Sequence, residues 1–270
     1  MMKDDVDGTR EATERVYPPR RQSLLFMPDP GDIWTGMATF LRKLAATLPE
    51  QPTAIILISA HWETDGFAFT CAAHPGLIYD YSGFPIDTYQ LRYDVPGAPA
   101  LALRAAQLLI DAGLTAAINP SRGLDHGVFV PLKLVFPDAN IPLIEISIDR
   151  DLDPALHVAA GRALAPLRDE GVLIIGSGMS FHNMRGYGDP RSTAPSQAFD
   201  QWLTQAVEQA GDERAGALNG WATAPSGRFA HPAAEHLLPL MVAAGTSEAA
   251  GKSIYSELVM ETAISAFRFD

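Results

Sequence analysis

The chain has a single cysteine, Cys71, in 270 residues, which excludes an internal disulfide and any Cys-rich zinc site and makes a reducing cytoplasm the natural compartment. A bound metal must therefore be held by histidine and carboxylates. Positive charge is scarce as well: 20 Lys and Arg against 32 Asp and Glu leave a net charge of -12 and a pI near 4.9. Nucleic acid and anionic membrane are disfavoured as partners, because both select clustered Lys and Arg. No run approaches the roughly 18 unbroken apolar residues of a membrane span. The polar stretch from Met1 to Gln22 contains no apolar segment of a secretory signal and reads as a disordered tail, followed by one domain over 23–270. HExxH, CxxC, GxSxG and P-loop patterns are all missing.

What is present is ample core material, with 47% hydrophobic residues and a mean hydropathy of +0.03. The apolar run Ala54-Ile55-Ile56-Leu57-Ile58-Ser59-Ala60 breaks abruptly into His61-Trp62-Glu63-Thr64. A β-branched run this short predicts a strand buried on both faces, and in open α/β sheets ligands gather beyond the carboxyl ends of such strands, where His61 would stand. Ser23–Met27 predicts a first strand, with a helix from about Gly36 to Thr47 after a Pro- and Gly-rich turn. Further strands are predicted at 67–71, 142–148 and 171–175, and helices near 98–112, 154–167 and 196–210. Strand, helix, strand over 142–175 is the pattern of a parallel pairing. The segment 74–99 is a long loop with four tyrosines, and loops of that length tend to be functional.

Seven histidines are distributed along the chain: His61, His74, His126, His157, His182, His231 and His236. Taken alone, each is by default a hydrogen-bonded structural residue. That reading is kept for His74, in a loop, and for His157, on a helix surface; His231, before Pro232, either caps or lines the site. His182 follows the strand at 171–175 through Gly176-Ser177-Gly178-Met179-Ser180-Phe181, on a loop able to approach a ligand and to meet His61. His126 lies in a Gly-flanked turn beside Asp125. His236 opens a short apolar helix whose Pro239 belongs in the first turn, and a neutral, metal-bound imidazole is tolerated there better than a cationic one.

Five tracts in order carry a resemblance: Ser59-Ala60-His61-Trp62-Glu63; Ile78-Tyr79-Asp80-Tyr81-Ser82-Gly83-Phe84-Pro85 running on to Tyr93-Asp94-Val95-Pro96-Gly97; Gly123-Leu124-Asp125-His126-Gly127-Val128-Phe129-Val130-Pro131-Leu132; Gly176 to Asn183; and Glu235-His236-Leu237-Leu238-Pro239-Leu240. Together they resemble the 4,5-DOPA dioxygenase-type branch of the class III extradiol ring-cleaving dioxygenases, relatives of the protocatechuate 4,5-dioxygenase catalytic subunit. The resemblance implies a single α/β domain with a central, mostly parallel or mixed sheet flanked by helices on both faces. It implies a non-haem metal, usually Fe(II) and in some members zinc, and a catechol-type substrate opened by O2 next to the diol. It further implies His61 and His236 as metal ligands, His182 as an acid/base beside the metal that is sometimes counted as a ligand, and His126 as a substrate-side histidine. Tyr79, Tyr81 and Phe84 either wall the aromatic substrate or pack the loop. Arg92 or Arg185 pairs with a substrate carboxylate, or is an ordinary surface arginine.

One family feature is missing. The family's first strand runs into a ligand histidine in a Gly-rich turn, whereas this chain passes from Met27-Pro28 to Asp29-Pro30-Gly31-Asp32 with no histidine before His61. Either Asp29 takes the place, giving a 2-His-1-carboxylate set of Asp29, His61 and His236, or the ligand turn is deleted and Asp29 belongs to a loop and helix lead-in. Two alternatives to a working dioxygenase follow: a non-catalytic relative, and a zinc-dependent hydrolase on the same histidines. Assembly into a homo-oligomer is left open.

Overall fold

The computed structural model of the chain describes residues 32–270. The expected strand at Ser23–Met27, the tail and Asp29 lie outside the described residues. In chain order the elements are α1 (Thr35–Leu44), β1 (Ala54–Thr64), β2 (Phe67–Thr70), α2 (Pro99–Asp111), β3 (Ala116–Asn119), α3 (His126–Val135), β4 (Leu143–Asp149), α4 (Pro154–Leu164), β5 (Val172–Ser177), α5 (Thr193–Val207), α6 (Gly211–Asn219), α7 (Gly227–Ala230), α8 (Leu238–Gly245), β6 (Lys252–Val259) and β7 (Thr262–Arg268). Five strands form one mixed sheet in the order β3-β2-β4-β1-β5, and β6 pairs with β7 as a separate hairpin.

β1 is central because its sequence is apolar on both faces. Ile56 and Ile58 join Phe67, Phe69, Leu109, Leu238 and Met241 in one core, while Ile55 and Leu57 join Val128, Phe129 and Leu132 in the other. Alternation along the strand sends neighbours to opposite faces. Ile56, Leu57 and Ile58 are fully buried, each burial being worth about 1.5–3 kcal/mol. Helices α2, α4 and α8 cover the first face and α3, with α1, covers the second.

The strand–helix–strand pattern over 142–175 does produce parallel strands, but not neighbours: β4 and β5 both run parallel to β1 and lie on either side of it. β1 also extends beyond the apolar run. It pairs regularly with β5 as far as Ser59, and its pairing with β4 breaks between Ile58 and Glu63 before resuming. His61 therefore sits inside a bulged strand end rather than after it, and the bulge re-aims its side chain.

Candidate active site

The site grows from the carboxyl ends of β1 and β5. At the β1 bulge the His61 amide donates to Ser59 Oγ at 3.2 Å, and that hydroxyl donates to Asp125 Oδ1 at 2.8 Å. Asp125 is also the N-cap of α3, accepting from the Gly127 amide at 3.0 Å, so His126 becomes the first residue of a helix rather than part of a free turn. The two rings end 4.0 Å apart, centroid to centroid. The side chains of Asp125 and His126 diverge as expected, and the partner of His126 is Asp80, whose Oδ1 accepts from the His126 amide at 3.0 Å and lies 2.8 Å from Nδ1. Burial works to raise the Asp80 pKa, but the hydrogen bonds from His126 prevail and hold it below the usual carboxylate range.

Beneath this pair lies a charged network. Asp125 and Glu145 are completely buried, and Arg122 Nη2 reaches them at 3.0 and 3.5 Å while its guanidinium stacks over the Trp62 ring at 4.3 Å. Burial, reinforced by the neighbouring Asp125 charge, pushes Glu145 well above the ordinary carboxyl range. This network ties β1, β4 and the start of α3 together behind His61 and His126.

The second pair arrives from the other side. His182 follows β5 and its amide donates to the Ala230 carbonyl at 2.9 Å; His236 stands two residues before α8, with Pro239 in that helix's first turn, as the sequence suggests. The glycines in the loop after β5 serve close approach: a side chain at Gly178 would run into the His236 carbonyl, and one at Gly176 into that of Pro239. The Met179 amide donates to that same His236 carbonyl at 3.0 Å. The His182 and His236 rings stack at 3.3 Å, and His236 meets the His61 ring edge-on at 4.9 Å. Glu235 Oε1 lies 3.2 Å from His182 Nδ1 and 3.1 Å from His236 Nδ1. Those two hydrogen bonds hold the Glu235 carboxyl well below its usual range. His61 opens onto the cleft yet is crowded by protein on its other sides, and this burial, with the like charges of His126 and His236, lowers its pKa to about 4. His236 is lowered too, chiefly by burial. Both are therefore neutral at pH 7, the state that binds metal.

The cleft is lined by His61, Phe84, His126, His182, Arg185 and His236. Of the proposed aromatic wall, only Phe84 faces it. Tyr79 and Tyr81 pack the loop, their hydroxyls donating to the carbonyls of Leu91 and Thr88, and the Tyr81 ring also meets that of His126 edge-on at 5.7 Å. Arg185 lines the cleft, while Arg92 lies away from it. His157 departs from expectation: it is buried rather than on a helix surface, its Nε2 accepting from the Asp149 amide at 3.1 Å. His231 takes the capping alternative: it closes α7, its amide donating to the Gly227 carbonyl at 2.9 Å, and it is buried with Nε2 3.0 Å from the Ser180 carbonyl. Both are structural, and burial lowers both pKa values. Asp80, Glu145 and the double role of Glu235 were not foreseen; the only local hint was that Glu235 adjoins His236.

Residues 27–268 match the family described as the catalytic LigB subunit of aromatic ring-opening dioxygenase. The chain belongs to this family. It is 44% identical over 215 residues to a 4,5-DOPA dioxygenase extradiol of Beta vulgaris, covering 78% of each chain, and 36% identical over 207 residues to one of Escherichia coli K12, covering 76% of each. A solved structure of an uncharacterized protein from Escherichia coli K12 superposes with a TM-score of 0.74 at 29% identity, over 86% of this chain and 92% of that one. The protein is thus a metal-dependent extradiol dioxygenase, an oxidoreductase acting with O2 on a catechol-type aromatic. Nothing in the comparisons favours the hydrolytic or non-catalytic alternatives. No helix among the described residues is long and apolar enough to cross a membrane.

Proposed function

We propose that His61 and His236 hold Fe(II), that His182 is the acid/base beside it, and that His126 contacts the substrate. The observation that carries this is the convergence of four imidazoles in one cleft, with rings 3.3 to 4.9 Å apart in sequence from His126 through His61 and His236 to His182. The donor set fits: imidazole nitrogens backed by carboxylates suit iron and zinc better than calcium or magnesium. When bound, the metal would supply Lewis-acid and redox chemistry toward a catechol and O2. The protein's part is to bind, orient and move protons. A hydrogen on His182 Nδ1 directed at Glu235 leaves Nε2 free to take a phenolic proton and later return it. Asp80 orients His126 in the same way towards a substrate hydroxyl, and Phe84 offers an apolar face to the ring. We place the enzyme in the cytoplasm, on the ground of its single cysteine.

Protein loaded anaerobically with Fe(II) should consume O2 with a catechol and form a yellow ring-opened product; no uptake across a catechol panel overturns this reading. Metal analysis of wild type beside Asp29→Ala tests the missing ligand. Roughly one metal per chain in wild type and a clear loss in the variant would assign Asp29 to the site, and equal content would assign it to the loop.

A further inference from the structure

Glu235 presents one oxygen to two rings. Oε1 is within hydrogen-bonding distance of Nδ1 of both His182 and His236, while Oε2 is buried with no partner among the described residues. An ionised carboxylate oxygen can only accept, so each Nδ1 must carry a hydrogen, and a neutral imidazole with hydrogen on Nδ1 has a bare lone pair on Nε2. The backbone on both sides is held independently of this contact, by the Met179 amide on the His236 carbonyl, the His182 amide on the Ala230 carbonyl and the close approach at Gly178. The fold thus places the rings, and the carboxylate is left to decide which nitrogen of each bears the hydrogen. Asp80, by contrast, serves His126 alone.

We infer that Glu235 is a shared positioning residue: a single carboxylate oxygen fixes His182 and His236 together in the Nδ1–H form, so that both Nε2 atoms are presented bare, one for the metal and one for the substrate proton. The assignment of those two uses rests on the metal-site reading; the shared tautomer does not. Orientation of a ligand histidine by such a partner is worth about 10–100-fold in metal affinity. Here one side chain would set two rings at once. Its loss should weaken metal binding and derange the proton-transfer group in a single substitution.

The test uses the full-length, metal-free protein labelled with 15N-histidine, the ring signals being assigned by comparison with His182→Gln and His236→Gln. Wild type should show Nδ1–H on both rings. Glu235→Ala should move both towards Nε2–H, and competition with a chelator should show zinc affinity falling about 10–100-fold. Glu235→Gln, whose amide oxygen still accepts from both Nδ1–H groups, should keep the tautomers and most of the zinc affinity. Nε2–H on either ring in wild type overturns the proposal, as does unchanged zinc affinity in Glu235→Ala. If Glu235→Ala fails to fold, folded Glu235→Gln decides: retention of both Nδ1–H signals supports the proposal and their loss overturns it. A wild type that shows both Nδ1–H signals and binds no zinc supports the shared positioning and overturns the metal reading.

Discussion

His61 and His126 come from the bulged end of β1 and the first turn of α3, whereas His182 and His236 come from the loop after β5 and the approach to α8. The first pair is supported from beneath by Ser59, Asp125, Arg122 and Glu145, with Asp125 and Glu145 out of reach of solvent, and His126 is steered by a partly exposed Asp80. Among the described residues the second pair has no such network. It is held by ring stacking, by glycines that let two backbones touch, and by one half-buried carboxylate. One half of the site therefore has its geometry coupled to the stability of the sheet, while the other half has it coupled to a local contact. Substitutions in the two halves should fail differently.

The largest effect is expected at His236. His236→Ala should abolish metal retention after dialysis and reduce O2 uptake below detection in a protein that still folds; retention of one metal per chain would remove His236 from the ligand set. His182→Ala should keep the metal and lower turnover by about 10²–10⁴-fold, the usual worth of a general acid/base; equal loss of metal in both variants would make them one ligand set instead. In the other half, Asp125→Ala should act on stability, since it removes the N-cap of α3 and the acceptor of the buried Ser59 hydroxyl. About 2–4 kcal/mol should be lost in urea denaturation, the sum of a lost helix cap and a buried hydroxyl without its acceptor. A midpoint unchanged from wild type would mean that the network does not brace the sheet.

Acid should report on the buried histidines. His231 is fully buried and its pKa is lowered from 6.5 to about 4 by that burial. Its folded-state pKa lies below the unfolded one, so the unfolded chain binds the proton first. Its contribution is whole above pH 6.5 and lost as pH falls towards 4, by about 3 kcal/mol across that window. His231→Gln keeps a donor for the Ser180 carbonyl without titrating, and should flatten the acid limb of stability against pH; an identical limb would rule His231 out. The smallest effect is expected at Asp80. Asp80→Asn leaves an acceptor beside His126, and should raise KM by about 5-fold, near 1 kcal/mol, with metal content unchanged.

The sequence by itself determined the central strands, the helices near 98–112, 154–167 and 196–210, and the short list of candidate groups; α3, β3 and the β6–β7 hairpin were not read from it. Period and punctuation are local, so the apolar run of β1, the helices near 98–112 and 154–167 and the Pro239 helix start just after His236 were all legible. His61, His182 and His236 were legible as candidates too, because His61 ends an apolar run, His182 follows one through a short Gly-containing loop and His236 opens one. Tertiary structure alone decided their partners. Asp80 is 46 residues from His126, and Glu235 is 53 from His182. Glu145 hides inside a strand that reads as continuous core, and only the packing of β4 beside β1 brings its carboxyl under Arg122. Hydrogen bonds and charges act over a few ångströms in space, and the fold, not the spacing along the chain, sets which groups come that close.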